Sequence, residues 1–249
     1  SIVFGLNELF NLKLTKKEMI FISQQAEHDF VGVKCGIMDQ YASMFGEPNA
    51  AILLDCKNLD ATIFPIHFNE YELLLINTNV KHSLAESAYN NRREVCEKVA
   101  KMLEVSALRE VSEVQLNAIK YQLSIDEYNK AIYVIQENTR VVEASKALQD
   151  KNITKFGQLM FASHDGLQHQ YKVSCKELDF LVDMAKENDG VIGSRMMGGG
   201  FGGCTINLIQ KEKVNQFKEQ VKKAYSTTFL KECSFYSVQL NKGVSTVSW

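Results

Sequence analysis

Apolar residues recur at helical spacing in the first 45 residues of the chain. The spacing predicts three helices, at residues 2–10, 15–28 and 36–45. Thr15 and Glu18 have the spacing of a capping box at the start of the second helix. Asp39 falls in the first turn of the third helix, where the positive end of the helix dipole stabilises a carboxylate. On this pattern alone, Asp39 is either an acid that stabilises its own helix or part of a site.

The apolar period changes after residue 45, where short alternating runs replace the helical pattern. Residues 51–54, 62–66 and 72–76 form such runs between Asn, Asp, Gly and Pro, and they are predicted as strands. Asn58 and Asp60 supply a turn between the first two strands. Because the connections are too short for crossover helices, we expect an antiparallel meander of three strands.

Helical spacing returns in the middle of the chain, and strands are predicted again near its end. The middle helices are expected at residues 84–103, 125–148, 153–171 and 176–187. Strands are expected at 191–197, 204–209 and 234–240, and a helix with one apolar face precedes the last strand, formed by Val214, Phe217, Val221 and Ala224. This order predicts an α+β fold, a split sandwich with antiparallel pairing.

Length and composition fit a globular protein of one or two domains, with 249 residues of which 45% are hydrophobic and 23% charged. A net charge of −2 without a basic stripe argues against binding to nucleic acid or to a membrane surface. No apolar run approaches the roughly 20 residues of a membrane span. The six cysteines are scattered without a CxxC pair. We interpret them as reduced core residues, which predicts a cytoplasmic protein.

Residues 198–203 contain five of the fourteen glycines of the chain. Gly198, Gly200 and Gly203 match G-x-G-x-x-G, but a predicted strand follows where a dinucleotide-binding motif needs a helix, so that motif is rejected. A plain hairpin needs only one or two glycines. The excess predicts that the backbone passes close to something bulky, either a phosphate or a loop that binds one; a plain turn is the alternative.

Two further patterns concern metal ions. Glu27 and Asp29 lie in the last turn of the second predicted helix and oppose its dipole, which fits either a solvated surface or a cation site. The spacing of His164 and His169 does not bring both rings to one helix face, so it does not predict a zinc site.

Four stretches of the chain resemble the galactokinase family, in the GHMP superfamily of small-molecule kinases. They are residues 25–30, residues 35–40, residues 79–84 with 89–93, and residues 193–197 leading into the glycine loop. The resemblance runs from end to end and matches the C-terminal two thirds of the family. It implies a GHMP-kinase-like fold, with residues 1–47 as a remnant of the N-terminal domain and residues 48–249 as the C-terminal domain of antiparallel sheet and helices.

The resemblance also implies roles for matching residues. Asp39 matches the catalytic aspartate beside the sugar hydroxyl that accepts the phosphoryl group, Gly36 a backbone contact to the sugar, and Tyr89 a sugar-binding tyrosine. Glu27 matches the carboxylate assigned to Mg²⁺. The family's third motif, beside the nucleotide phosphate loop, is matched by Gly198, Gly199, Gly200, Gly202 and Gly203. Met197 stands where threonine is common in the family, and we expect only a packing difference there.

Two motifs of the family do not occur in this chain: the first motif with its sugar-binding cluster, and the Gly-Leu-Ser-Ser-Ser phosphate loop. The first predicted helix has no room for a cap, so residues upstream of Ser1 are expected to be missing or carried elsewhere. The implied activity is phosphorylation of galactose with ATP and Mg²⁺ by an enzyme that is monomeric when intact. This chain alone is expected to be inactive. The alternatives are a non-catalytic sugar sensor and a kinase for N-acetylgalactosamine.

Overall fold

The structure is a computed structural model that describes residues 1–80 and 85–246, with the side chains of residues 85–89 left aside. The chain divides into two compact units. The first comprises Ser1–His67 and the C-terminal segment from Gln239, and the second comprises Phe68–Val238. The predicted division after residue 47 differs from this one, because the hairpin that follows residue 47 packs into the core of the first unit.

Helices and a β-hairpin build the first unit, namely α1 (Ile2–Phe10), α2 (Lys16–Ala26), α3 (Met38–Phe45), β1 (Ala50–Leu54) and β2 (Ala61–Pro65). The predicted capping box is confirmed, since Thr15 Oγ1 accepts from the backbone N–H of Glu18 and Glu18 Oε2 accepts from that of Thr15. The predicted turn is also confirmed, because Asn58 Oδ1 accepts from the backbone N–H of Asp60 at 3.0 Å. The buried core of this unit consists of Met19, Ile20, Ile37, Tyr41 and Met44.

The second unit contains an antiparallel sheet and further helices. Its elements are, in chain order, β3 (Tyr71–Asn77), α4 (Ala85–Met102), α5 (Glu113–Ala118), α6 (Ile125–Gln149), α7 (Ile153–His169), α8 (Lys176–Lys186), β4 (Val191–Met196), β5 (Cys204–Gln210), α9 (Val214–Phe229) and β6 (Ser234–Ser237). The sheet has the strand order β4-β5-β3-β6. The α+β prediction is confirmed. The short helix α5 was not predicted, because six residues are too few to show a period.

The predicted meander of three strands is wrong. β1 pairs with β2 as expected, but β3 lies between β5 and β6 in the sheet of the second unit. Leu73, Leu74 and Ile76 of β3 are all buried. Because adjacent side chains of a strand point to opposite faces, β3 fits a central position covered on both faces better than a place in a small meander. Burial of both faces therefore outweighs the short connection to β2.

Helix α9 covers the sheet with the face that its spacing predicts, with one change. Val214, Phe217 and Val221 are buried, but Tyr225 is completely buried where Ala224 was expected. The Tyr225 hydroxyl donates a 2.8 Å hydrogen bond to the carbonyl oxygen of Thr78, which satisfies the polar end of this large side chain.

Two expectations from composition can be compared with the structure. The interpretation of the cysteines as core residues holds for Cys233, which is buried, but is wrong for Cys56, which is exposed near the β1–β2 turn. The other four thiols are partly buried. Among the described residues, no helix is both long enough and apolar enough to cross a membrane.

Candidate active site

The turn before α3 is held by side chains from the end of α2. The carbonyl oxygen of Cys35 accepts one hydrogen bond from Gln24 Nε2 at 3.2 Å and another from His28 Nε2 at 2.9 Å. A carbonyl oxygen can only accept, so His28 carries a proton on Nε2. These contacts join the stretch that carries Glu27 to the stretch that carries Asp39.

Glu27 begins a π-helical turn rather than ending an α-helix. The π turn Glu27–Val31 continues α2 and stops at Gly32, which has a φ of 80°. Such turns are rare and often lie at functional sites. Asp29 Oδ1 accepts a 2.7 Å hydrogen bond from Gln25 Nε2, whereas the exposed Glu27 carboxylate makes no hydrogen bond or ion pair with the residues that the structure describes. Of the two acids, Glu27 is thus the one whose two carboxylate oxygens are both open to a ligand.

Asp39 and Gly36 lie on either side of Ile37, which occupies the position before the first residue of α3. Asp39 is exposed in the first turn, as predicted, and the buried cap residue Ile37 anchors the start of the helix in the core. A Cβ atom added to Gly36 would meet no protein atom within 4 Å. Because packing does not require a glycine at this position, Gly36 leaves open space where a ligand can approach the backbone.

Gln40 is a polar side chain beside this turn with an unmet hydrogen-bonding group. Its Nε2 lies 3.8 Å from the Sγ atom of Cys35, which is a weak contact. Its Oε1 is buried and has no hydrogen-bond partner among the described residues. Buried carbonyl oxygens without a donor are uncommon, so a water molecule or ligand is expected to serve this oxygen.

The glycine loop between β4 and β5 packs against the backbone of the second unit. Gly200 has a φ of 87°, and a Cβ atom there would lie 2.0 Å from the carbonyl oxygen of Val173. Gly202 has a φ of 140°, and its Cβ atom would lie 2.9 Å from the carbonyl oxygen of Val80. A close approach of the kind predicted therefore occurs, and at these two positions the neighbour is the chain itself.

The first half of the glycine loop has different surroundings. Gly198 and Gly199 are exposed, and a Cβ atom on Gly198 would meet nothing within 4 Å. Met197, immediately before them, is 44% exposed and so contributes little to packing. Burial raises the pKa of the Cys204 thiol after the loop, so this thiol is not an activated nucleophile. Only the exposed end of the loop remains available to a ligand.

Arg92 connects α4 to the glycine loop. Its Nε donates to the carbonyl oxygen of Tyr171 at 3.2 Å, and its Nη2 donates to that of Lys172 at 2.6 Å. The guanidinium also lies 5.4 Å from the centre of the Phe201 ring, a cation–π distance. Desolvation lowers the pKa of Arg92, which nevertheless remains charged near neutral pH.

Tyr89 lies within α4, three residues before Arg92. Its side chain lies outside the described part of the structure, and so do residues 81–84, which include the predicted helix cap Ser83. The structure describes the backbone of helix α4, which carries Tyr89, and the Arg92 guanidinium of this helix contacts the Phe201 ring in the glycine loop. The site residues therefore form two groups, one in each unit.

Sequence reasoning missed the residues that hold these segments in place. Gln24, His28 and Arg92 lie in or beside the stretches that carry the family resemblance, but their spacing does not indicate which backbone they contact. Thr78 was missed as well, although its amide and its hydroxyl both donate to the carbonyl oxygen of Gly203 at 2.9 Å. Its place directly after a buried strand was the one available signal.

Comparison with known protein families identifies the class of this fold. A family model described as the GHMP kinases N terminal domain matches residues 1–47, and one described as GHMP kinases C terminal matches residues 144–227. The chain is thus built like a GHMP kinase.

Individual relatives identify the family within this class more narrowly. A galactokinase from Thermotoga neapolitana is 39% identical over 244 residues, which cover 98% of this chain and 69% of the relative. A galactokinase from Clostridium beijerinckii is 40% identical over 247 residues, 97% of this chain and 64% of the relative. The crystal structure of Lactococcus lactis galactokinase complexed with galactose matches with a TM-score of 0.93 at 35% identity, covering 99% of this chain and 65% of that one. The chain belongs to the galactokinase family and spans about two thirds of the length of these relatives.

Proposed function

We propose that this chain forms the larger part of an enzyme that transfers the γ-phosphoryl group of ATP to the anomeric hydroxyl of galactose. The observation that carries the proposal is the match, over nearly the whole chain, to galactokinases and to a galactokinase structure complexed with galactose. The complete enzyme is this chain preceded by a segment equivalent to the remaining third of its relatives. The product of the complete enzyme is galactose 1-phosphate.

Asp39 is the reactive carboxylate in this proposal. The anomeric oxygen forms a bond to the γ-phosphorus while the bond from that phosphorus to the bridging oxygen of ADP breaks, and Asp39 takes up the hydroxyl proton. Phosphoryl transfer depends mainly on positioning and charge stabilisation, so a weak base that orients the hydroxyl is sufficient. The exposed position of Asp39 in the first turn of α3 supports this role.

Gly36 and Tyr89 are the proposed contacts to the sugar. The open space around Gly36 supports a backbone hydrogen bond to galactose, because a ligand atom can come as close as a Cβ atom would. The hydrogen bonds from Gln24 and His28 to Cys35 support it further, since they fix the backbone immediately before Gly36.

Glu27 is the proposed protein ligand for the Mg²⁺ ion that accompanies ATP. No group of three or more His, Cys, Asp or Glu side chains in the described part of the chain could hold a metal ion. Magnesium in kinases is held by one or two carboxylates together with phosphate oxygens and water, so a single exposed carboxylate fits. When bound, the ion neutralises negative charge on the transferring phosphates.

The glycine loop is proposed to support the nucleotide phosphates through its exposed end. Gly198 and Gly199 offer backbone to a neighbouring phosphate loop or to the phosphate itself, while Gly200, Gly202 and Gly203 are held by the chain. The proposal includes a monomeric enzyme in the cytoplasm, where ATP is available and thiols such as Cys56 stay reduced.

Galactose-dependent formation of ADP by the complete enzyme tests this function. We expect turnover with galactose, less with N-acetylgalactosamine, and none from the 249-residue chain alone. A folded complete enzyme that binds galactose but forms no ADP would contradict the proposal and favour a sugar sensor. A clear preference for N-acetylgalactosamine would contradict the assigned substrate.

A further inference from the structure

His164 is a buried polar side chain outside the proposed catalytic residues. It lies on α7 and is only 1% exposed, and its Nδ1 accepts a 3.2 Å hydrogen bond from the backbone N–H of Met196 at the end of β4. Because Nδ1 accepts, the proton is on Nε2. Nε2 lies 3.3 Å from Asp179 Oδ1 on α8, and it has no hydrogen bond of good geometry among the described residues. The ring therefore joins a strand end to an acid on a neighbouring helix.

Asp179 also contacts Ser174, which is next to a residue that holds the other end of the glycine loop. Ser174 Oγ donates a short hydrogen bond to Asp179 Oδ1. The neighbouring Val173 accepts a 2.7 Å hydrogen bond from the backbone N–H of Phe201, and the same carbonyl oxygen packs against Gly200. The Asp179 carboxylate thus contacts His164, which holds Met196, and Ser174, which is next to Val173.

We propose that His164 and Asp179 are positioning residues that fix the course of the glycine loop. His164 holds Met196, from which the chain enters the loop, and Asp179 orients both His164 and the segment that holds Phe201. The imidazole is buried, so water does not readily replace a bond that is lost there. The expected effect on ATP binding rests on the proposed function, whereas the effect on the course of the loop does not.

A purely structural contribution would make a different prediction. If His164 and Asp179 only stabilised the fold, their removal would lower the protection of the whole second unit, including strand β3 in the middle of its sheet. A positioning role requires a local effect at Met196 and Phe201. Amide hydrogen exchange under native conditions, read residue by residue, separates the two because it reports local opening as well as global unfolding.

The variants for this experiment are His164→Leu, which removes the acceptor, and Asp179→Ala, which removes the carboxylate. His164→Asn is the conservative variant, because its Oδ1 occupies about the position of Nδ1. His169→Leu on α7 and Asp183→Ala on α8 are matched controls, since both side chains are more than 60% exposed and lie on the same helices. If the leucine variant does not fold, the alanine variant alone decides the outcome.

In the leucine variant we expect the Met196 amide to exchange about fivefold faster, the factor that corresponds to one lost hydrogen bond. In the alanine variant we expect faster exchange at both Met196 and Phe201. The asparagine variant should retain protection at Met196, and Leu74 of β3 should be unchanged throughout. Wild-type exchange at Met196 and Phe201, or equal acceleration at Leu74, would overturn the positioning role.

Steady-state kinetics of the complete enzyme test whether the position of the glycine loop affects nucleotide binding. We expect His164→Leu and Asp179→Ala each to raise the KM for ATP by about fivefold, the factor that corresponds to the loss of one hydrogen bond. The KM for galactose should change less. Faster loop exchange with an unchanged KM for ATP would support the positioning role and contradict the role of the glycine loop in nucleotide binding. Failure of the inference and failure of the proposed function are therefore distinguishable.

Discussion

His28 donates a 2.9 Å hydrogen bond from Nε2 to the carbonyl oxygen of Cys35, so the π turn after α2 is tied to the residue before Gly36. Gln24 donates to the same oxygen. The start of α3 has no side-chain cap, since Ile37 at that position forms no capping hydrogen bond. The backbone proposed to meet the sugar is therefore positioned from the neighbouring helix rather than by its own.

Replacement of His28 tests this dependence. We expect His28→Leu to raise the KM of the complete enzyme for galactose by about fivefold, because one hydrogen bond to the Cys35 carbonyl is lost. His28→Gln should stay close to wild type, since its amide nitrogen can reach the same oxygen. Steady-state kinetics with galactose and ATP varied separately measure the effect. An unchanged KM for galactose in the leucine variant would show that the turn does not need this bond.

Gly36→Ala separates stability from sugar binding. The added methyl group meets no protein atom within 4 Å. The free energy of unfolding, measured by thermal denaturation, should therefore change by less than about 1 kcal/mol. The same methyl group would occupy the space proposed for galactose, and we expect a KM for galactose raised at least about tenfold, which corresponds to roughly 1.4 kcal/mol. Wild-type binding of galactose would show that no ligand approaches this glycine.

Gly200→Ala is the contrasting control for this experiment. Its methyl group would lie 2.0 Å from the Val173 carbonyl oxygen, at a φ of 87° that alanine rarely adopts. Overpacking of this kind costs about 1–3 kcal/mol, so Gly200→Ala should destabilise the protein where Gly36→Ala does not. Equal stability of the two variants would contradict the packing described for the glycine loop.

Glu27→Gln tests the proposed metal ligand. The variant keeps the shape of the side chain and removes its charge, so we expect the complete enzyme to need several times more Mg²⁺ for half-maximal activity, an effect of about 1 kcal/mol. Asp29→Asn, two residues further along the same π turn, is the matched control because Asp29 is hydrogen-bonded within its own chain. Superimposable magnesium titrations of the wild type and the glutamine variant would remove Glu27 from the metal site.

Glu127 should make the stability of the second unit depend on pH in the acid range. Hydrogen bonds from Lys98 and Ser124 lower the pKa of Glu127 from 4.5 to about 2. A lowered pKa in the folded state stabilises the protein above the unfolded-state value, and this stabilisation is lost as the pH falls from about 5 to 2. Glu127→Gln should lower Tm at pH 7 and flatten the decline in this range.

Thermal unfolding at several pH values measures this effect. Glu94→Gln, which removes one exposed charge from α4, controls for the change in net charge. Because the Lys98 side chain is 52% exposed and solvent screens the ion pair, the difference in Tm should be small. Parallel Tm curves for the wild type and Glu127→Gln between pH 5 and 2 would contradict the lowered pKa.

The helices were predictable because their signals are local. The bounds of α1 match the spacing of its apolar residues, and the cap at Thr15 follows from residues three apart. The α3 prediction began two residues early, since Gly36 precedes the cap residue Ile37. Periodicity, caps and turn residues act within a few positions, so one sequence is enough to show them.

Strand pairing and the supports of the site were not predictable in this way. β3 pairs with β5 and β6, which lie far from it in the sequence, so the short connection to β2 misled the prediction. Gly200 indicated a close approach but not that Val173 is its neighbour. The contact between His164 and Asp179 likewise depends on how α7 and α8 pack, which no local pattern encodes.

The role of Asp39 as the reactive carboxylate is tested by Asp39→Asn in the complete enzyme. Asparagine keeps the size of the side chain but cannot accept the hydroxyl proton, and Glu47→Gln, beyond the other end of α3, controls for the loss of one exposed acid. We predict a kcat for galactose phosphorylation lower by about 10²–10⁴-fold, with galactose binding and Tm nearly unchanged. A variant that retains nearly the wild-type kcat would contradict the assignment of Asp39.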